Sequence, residues 1–242
     1  MDLGIQGHVA VVTAASRGLG RATAEALAAE GVRLVLCARN EQSLREAEAA
    51  LRSAGADVVG VPADVTDPAT PERLVATALE RYARLDIVVA NAGGPPPGRS
   101  LDVDDDAIRA ALEANLLSSV RLVRAAVPHM RAGGWGRVCC IASYSIVQAI
   151  PTLALSNTAR TGLKAWVKTA AADLASEGTG ITLNLVCPGP HATERMRELG
   201  GAAGPMGDPA DFGRVVAFVC STHAGFVNGA SIVVDGGATL AL

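Results

Sequence analysis

Thr13-Ala14-Ala15-Ser16-Arg17-Gly18-Leu19-Gly20 joins a β-branched apolar run at 8–13 to an Ala-rich amphipathic stretch at 18–30. Glycines at a strand-to-helix turn let backbone N–H groups approach a pyrophosphate, which the positive helix N-terminus then stabilises. The same glycines could serve a tight turn with positive φ and nothing more. The rest of the chain decides between the two. Asp64-Val65-Thr66 follows the third apolar run, Asn91-Ala92-Gly93 the fourth and Pro188-Gly189 the sixth, so the unusual residues gather where strands end.

Working outward, short β-branched runs at 8–13, 33–38, 57–62, 85–90, 137–142, 181–187 and 231–234 alternate with longer helical stretches at 18–30, 41–54, 68–82, 104–131, 152–177 and 208–221. Nearly continuous Val/Ile/Leu runs predict strands covered on both faces, and the βαβα rhythm predicts parallel pairing through right-handed crossovers. The expected fold is α/β: a single-domain, Rossmann-type, doubly wound seven-stranded parallel sheet with helices on both faces, spanning 1–242. Two irregular segments follow strand ends, where open α/β sheets bind ligands: 93–100, with three consecutive prolines, and 189–207, read as a short lid.

Composition excludes several classes. Half of the 242 residues are hydrophobic but 3% are aromatic, so the core is built from aliphatic side chains and disorder is ruled out. The 21 basic and 24 acidic residues give a net charge of −3 with no basic run, which predicts neither a nucleic-acid nor a membrane partner. Met1-Asp2-Leu3-Gly4 lacks a basic segment ahead of an apolar one, and no apolar stretch is long enough to span a bilayer, so a cytoplasmic protein is expected. Five cysteines without a C-x-x-C predict small core residues, with no metal site.

From the Thr-x-x-x-x-Gly-x-Gly turn through Asn91-Ala92-Gly93 to Val233-Val234-Asp235-Gly236-Gly237, the chain resembles the short-chain dehydrogenase/reductase family, nearest to its 3-oxoacyl-(acyl-carrier-protein) reductase type. The resemblance implies a nicotinamide dinucleotide bound along Thr13, Ala15, Ser16, Arg17, Gly18, Leu19 and Gly20. Asp64, Val65, Asn91, Ala92 and Gly93 would line the adenosine and ribose side, and Asn184, Pro188, Gly189 and Thr193 would lie beside the nicotinamide. Ala14 stands where the family usually has its first glycine, so a narrowed turn and weakened binding are expected. A carboxylate about 20 residues past the glycines would repel a 2′-phosphate. Cys37-Ala38-Arg39 occupies that place, and Arg39 with Arg17 could form a guanidinium clamp, unless both are simply solvated. NADP(H) is therefore favoured over NAD(H).

At the catalytic end the pattern fails. Family reductases use a Ser, a Tyr thirteen residues later, a Lys four after that, and an Asn on the preceding helix. Here Asn115 and Ser143 match, but Ser156 stands at the Tyr position and Arg160 at the Lys position. An aliphatic hydroxyl is a far poorer acid than a phenol, and Arg holds its proton while remaining able to bind ribose hydroxyls. Replacement donors are Tyr144, next to Ser143, and His191, just past Pro188-Gly189. Each has a plain alternative: a tyrosine packed outside the rim, a solvated loop histidine. Ser143 would orient substrate or cap a turn, and Asn115 could bend its helix around a water.

The leading expectation is a divergent NADP(H)-dependent short-chain oxidoreductase that reduces a ketone or similar polarised double bond of a partly hydrophobic small molecule, with an atypical proton donor. The alternatives are a non-redox enzyme of the same fold working by proton transfer, and a catalytically silent NADP(H)-binding protein. An apolar wall from Ile146, Val147, Ile150 and Leu153 is expected beside the substrate. Gly200-Gly201-Ala202-Ala203-Gly204-Pro205 predicts a mobile or open cover. Apolar and small side chains on two faces of 153–174, and a second surface on 104–131, predict a homodimer or the homotetramer that the family resemblance implies.

Overall fold

In a computed structural model that describes residues 1–201 and 204–241, the chain forms one seven-stranded parallel sheet. The strands are β1 (Val9–Thr13), β2 (Arg33–Ala38), β3 (Val58–Pro62), β4 (Ile87–Ala90), β5 (Gly136–Ile141), β6 (Ile181–Pro188) and β7 (Ser231–Val234), in the order β3-β2-β1-β4-β5-β6-β7. The helices are α1 (Gly18–Ala29), α2 (Glu41–Ser53), α3 (Thr70–Tyr82), α4 (Asp105–Leu112), α5 (Ser118–Gly133), α6 (Ala154–Ser176), α7 (Glu194–Glu198) and α8 (Pro209–Val219). Alternation of side chains along each strand divides the interior into two layers. Val9 and Val11 join Leu74, Leu122 and Leu163, from α3, α5 and α6, on one face. Ala10 and Val12 join Leu27, Leu44 and Phe212, from α1, α2 and α8, on the other. The expected strands and their parallel pairing are all present, with ends moved by one or two residues.

The largest departure lies in the stretch expected as one helix over 104–131. Asp104 caps α4 by accepting from the Ala107 N–H at 2.8 Å, but a π-turn at Glu113–Leu117 separates α4 from α5. Asn115 sits in that turn and donates through Nδ2 to Ala111 O at 3.4 Å, competing for a carbonyl that the helix backbone would use. Apolar periodicity runs on through the break, which is why the sequence did not announce it. The start of α6 also moves. Thr152 has φ +65° and its carbonyl accepts from Gly98 N–H at 2.6 Å, a left-handed conformation that keeps the helix from beginning before Ala154.

The β1–α1 turn carries its own strain. Ala14 has φ +48°, in the region that disfavours a residue with a Cβ. Ala14→Gly is expected to stabilise the fold by about 0.5–1 kcal/mol after the greater freedom of glycine in the unfolded chain is subtracted, a rise in Tm of roughly 1–4 °C. Thermal denaturation of the two proteins checks this; a lower Tm for the variant would contradict it.

Candidate active site

At the point where the sheet order reverses, between β1 and β4, a cleft of about 1350 Å³ opens along the C-terminal ends of the strands. Its wall contains Ser16, Arg17 and Gly18 from the first turn, Arg39 after β2, Asp64 and Val65 after β3, Ala92 and Gly93 after β4, and Thr193. The N-terminus of α1 has neither a side-chain cap nor an acidic residue in its first turn, so its amides are open to an anion. Gly18 has φ +58°, and Thr193 stands across from it, 3.8 Å from where a Gly18 Cβ would lie.

A second group of expected cofactor residues lies behind that wall and shapes it. A Cβ on Gly20 would sit 2.3 Å from Ala14 O and 2.7 Å from Asn91 Nδ2, so glycine is required there by close approach. Thr13 Oγ1 donates to Asn91 O at 2.7 Å and accepts from Asn91 N–H at 2.8 Å, tying β1 to the end of β4. Ala15 is fully buried and its N–H donates to Cys37 O at 3.0 Å. Leu19 packs partly buried against the core. Asp64 accepts from both the N–H and the hydroxyl of Thr66 at 2.9 and 2.8 Å. The Thr66 N–H, then its hydroxyl and the more distant Arg39, hold the Asp64 carboxyl below the usual carboxylate range, against the opposing effect of burial.

The guanidinium clamp read from the sequence is not assembled. Arg17 pairs with Glu194 at 2.6 Å and Glu198 at 3.7 Å, across the cleft mouth on α7, while Arg39 lies 3.9 Å from Asp64. Both arginines still line the cleft. Beside Arg39 the sequence reading missed Asn40, the N-cap of α2, and Ser43, whose N–H it receives at 2.8 Å; both line the cleft. The N-cap spacing was the available signal.

Three residues expected beside the nicotinamide also fasten the end of the sheet. Asn184 is fully buried, donates to Val227 O at 2.7 Å and accepts from Ala230 N–H at 3.0 Å, which fastens β6 to the segment leading into β7. Gly189 packs on Asp235, whose Cβ would be 2.4 Å from an added Gly189 Cβ. Pro188 ends β6, paired with Val234. Neither Pro188 nor Gly189 is in the cleft wall.

Among the expected catalytic residues, Asn115 lines the cleft, 2% exposed, with its Oδ1 buried and without a partner among the described residues. Ser143 lies two residues past β5 and its Oγ accepts from Ser145 N–H at 3.2 Å, so it does cap the following turn, while its own proton has no acceptor among the described residues. Tyr144 opens that turn and is half-buried. Ser156 is buried on α6. Arg160, 7% exposed, turns Nη1 onto Ile141 O at 2.8 Å and Ala142 O at 3.0 Å, at the end of β5. Burial pulls its pKa down to about 10, leaving it charged at neutral pH.

His191 requires a correction. It is buried rather than solvated, with Nδ1 3.0 Å from Gly189 O and its ring edge-on to Phe212 at 5.2 Å. An added Cβ on Gly207 would lie 2.8 Å from the His191 ring. With one ring nitrogen held by a carbonyl and the ring packed in this way, His191 anchors the base of 189–207; like Ser143, Tyr144, Ser156 and Arg160, it is not part of the cleft wall that Asn115 lines. That base is further closed by Gly207 N–H to Pro190 O at 2.9 Å and Ala192 N–H to Gly207 O at 3.0 Å. Within the same segment Arg195 donates to Pro95 O at 2.7 Å. The Gly-rich stretch includes Ala202 and Ala203, which lie outside the described residues. The expected apolar wall also changes, because Ile146 is buried in the core and Val147 is exposed.

Residues 13–239 match the sequence family described as enoyl-(acyl-carrier-protein) reductase. The short-chain reductase protein NovJ of Streptomyces niveus is 35% identical over 251 residues, covering 96% of this chain and 94% of the relative. The dehydrogenase/reductase SDR family member 4 of Mus musculus is 32% identical, with 96% and 88% covered. The crystal structure of L-sorbose reductase from Gluconobacter frateurii, complexed with NADPH and L-sorbose, superposes with a TM-score of 0.93 at 30% identity, covering all of both chains.

Proposed function

Because this chain belongs to the short-chain dehydrogenase/reductase family, we propose that it binds NADP(H) in the switch-point cleft and reduces a polarised carbonyl of a small molecule, with a proton donor other than the family tyrosine. The observation that carries this is the cradle itself: open α1 amides, glycine at position 20 where no Cβ fits, and no carboxylate directly after β2. Arg39, Asn40 and Ser43 would receive the 2′-phosphate, with Arg17 released from Glu194 to join them. The NADPH bound to L-sorbose reductase supports the same choice.

When bound, the dinucleotide supplies a hydride. The chain's own task is to hold the carbonyl and furnish a proton. Ser143, whose hydroxyl proton is uncommitted, would orient the carbonyl oxygen. Arg160 keeps its proton and Ser156 is too weak an acid. Of the two expected donors, His191 is engaged with Gly189 O at the base of the lid, and Tyr144, a half-buried phenol next to Ser143, is the one assigned the proton here. Residues 189–207 would act as the lid. Assembly as at least a dimer through α5 and α6 completes the proposal, tested by mass in solution at micromolar concentration, where a monomer would contradict it.

Arg160 favours a second reading. Its Nη1 is directed to strand carbonyls, which suits a chain that holds the dinucleotide without turnover. The cofactor choice is tested by Arg39→Asp, which should weaken NADPH about 10- to 100-fold and leave NADH the better ligand. Equal weakening of both in calorimetric titrations would contradict the role given to Arg39.

A further inference from the structure

Two consecutive residues of α7 are fastened to the two sides of the cleft. On one side Arg17, the N-cap residue of α1, donates through Nη1 to Glu194 Oε2 at 2.6 Å and lies 3.7 Å from Glu198 Oε1. On the other side Arg195 donates through Nη2 to Pro95 O at 2.7 Å, in the segment after β4. Arg195 also lies over Gly94, where an added Cβ would come within 3.3 Å of its Nε. Thr193 caps α7 by accepting from Met196 N–H at 3.3 Å, and it faces Gly18 in the first turn of α1. Arg17, Gly18, Gly94, Pro95, Thr193 and Glu194 all line the cleft. α7 is thus a strap tied to both walls.

The two ties differ in chemistry. Arg195 is held by a neutral carbonyl, for which an anion does not compete. Arg17 is held by a carboxylate, and any other anion that reaches the cleft competes with that carboxylate for the same guanidinium. The first turn of α1 contains no acidic residue, so Glu194 brings to the N-cap of this helix the negative charge that its own sequence lacks. In this position a carboxylate takes the place that suits a phosphate. The side chains of Arg17 and Glu194 are 64% and 53% exposed, which makes their pair weak in water. A phosphate offers Arg17 a stronger, bidentate partner, so it can displace Glu194, at the cost of the pair that is broken.

We propose that Glu194 is a built-in competitor of the dinucleotide: it holds Arg17 until a phosphate of the incoming dinucleotide displaces it, and so sets how tightly the dinucleotide binds. The proposal rests on the reading of this cleft as the dinucleotide site, and the test keeps the two apart. The unmodified protein, Glu194→Gln, Glu194→Asp, Arg17→Gln and the double variant Arg17→Gln with Glu194→Gln are titrated calorimetrically with NADPH and with NADH, after melting curves verify that each is folded. Glu194→Gln should bind NADPH about 2- to 5-fold more tightly than the unmodified protein, the gain expected from releasing one exposed ion pair. Glu194→Asp keeps the charge and should restore most of the original affinity. In the Arg17→Gln background, loss of the Glu194 charge should bring no gain, because the competition is for Arg17. A gain larger for NADPH than for NADH would uphold the competitor with Arg17 on the 2′-phosphate; an equal gain for both would uphold it with Arg17 on the pyrophosphate. Unchanged or weaker NADPH binding in Glu194→Gln, or the same gain with and without Arg17, would overturn it while leaving the dinucleotide site standing. No binding of either dinucleotide to any of these proteins would overturn the site and the competitor together.

Discussion

Tyr144→Phe is expected to lower carbonyl turnover by about 10²- to 10⁴-fold while leaving NADPH affinity unchanged. Adding a hydride to a carbonyl creates an alkoxide, and an unprotonated alkoxide in a partly dry cleft is prohibitive, so a proton must come from within reach. Ser156, buried on α6, has an aliphatic hydroxyl, and Arg160 remains charged at neutral pH. His191 is held by Gly189 O and Phe212. Tyr144 follows Ser143 directly at the end of β5 and is half-buried, and Phe preserves its ring. In the same assays His191→Gln should change stability more than turnover, since its ring packs on Phe212 and Gly207. Undiminished turnover in Tyr144→Phe would pass the proton to solvent, admitted beside Asn115, whose buried Oδ1 lacks a partner.

The second large effect belongs to the cradle. Gly20→Ala is expected to destabilise the fold by about 1–3 kcal/mol, a fall in Tm on the order of 2–12 °C, and to weaken NADPH binding steeply. The added Cβ would meet the backbone oxygen of Ala14 at 2.3 Å, and a backbone carbonyl cannot swing aside as a flexible side chain does. It would also press on Asn91 Nδ2, whose main chain is tied to Thr13. Relief requires α1 to move away from β1, which takes its N-terminal amides out of line with the cleft. Melting curves and NADPH titrations measure both consequences; an unchanged melting temperature would contradict the close approach.

The sheet's strands and their ligand-facing ends were legible because the physics that forms them is local. Runs such as Val9–Val12 and Ile87–Ala90 are continuous in apolar residues, as strands covered on both faces must be, and the turn residues after them mark the ligand end. What stayed hidden depended on partners far away in sequence. The ion pair that engages Arg17 stayed hidden because Glu194, 177 residues on, is invisible from the turn. His191 was offered as a proton donor or a solvated loop residue, and its burial stayed hidden because nothing near it in sequence announces Phe212 or the close approach of Gly207. The break between α4 and α5 was masked by apolar spacing that satisfies both an α-helix and a single π-turn. At Arg160 the residue type was informative but its direction was not: the sequence offers a cation to a ribose, and the fold turns one nitrogen to Ile141 and Ala142.

The most direct test of the account is a calorimetric titration of the unmodified protein with NADPH and, separately, with NADH. One NADPH per chain is expected, bound more tightly than NADH, with Arg39 opposite the 2′-phosphate and the α1 amides on the pyrophosphate. Failure of either dinucleotide to bind would contradict the account at its root, since the cleft, its glycines and its open helix terminus would then have been assigned to the wrong ligand.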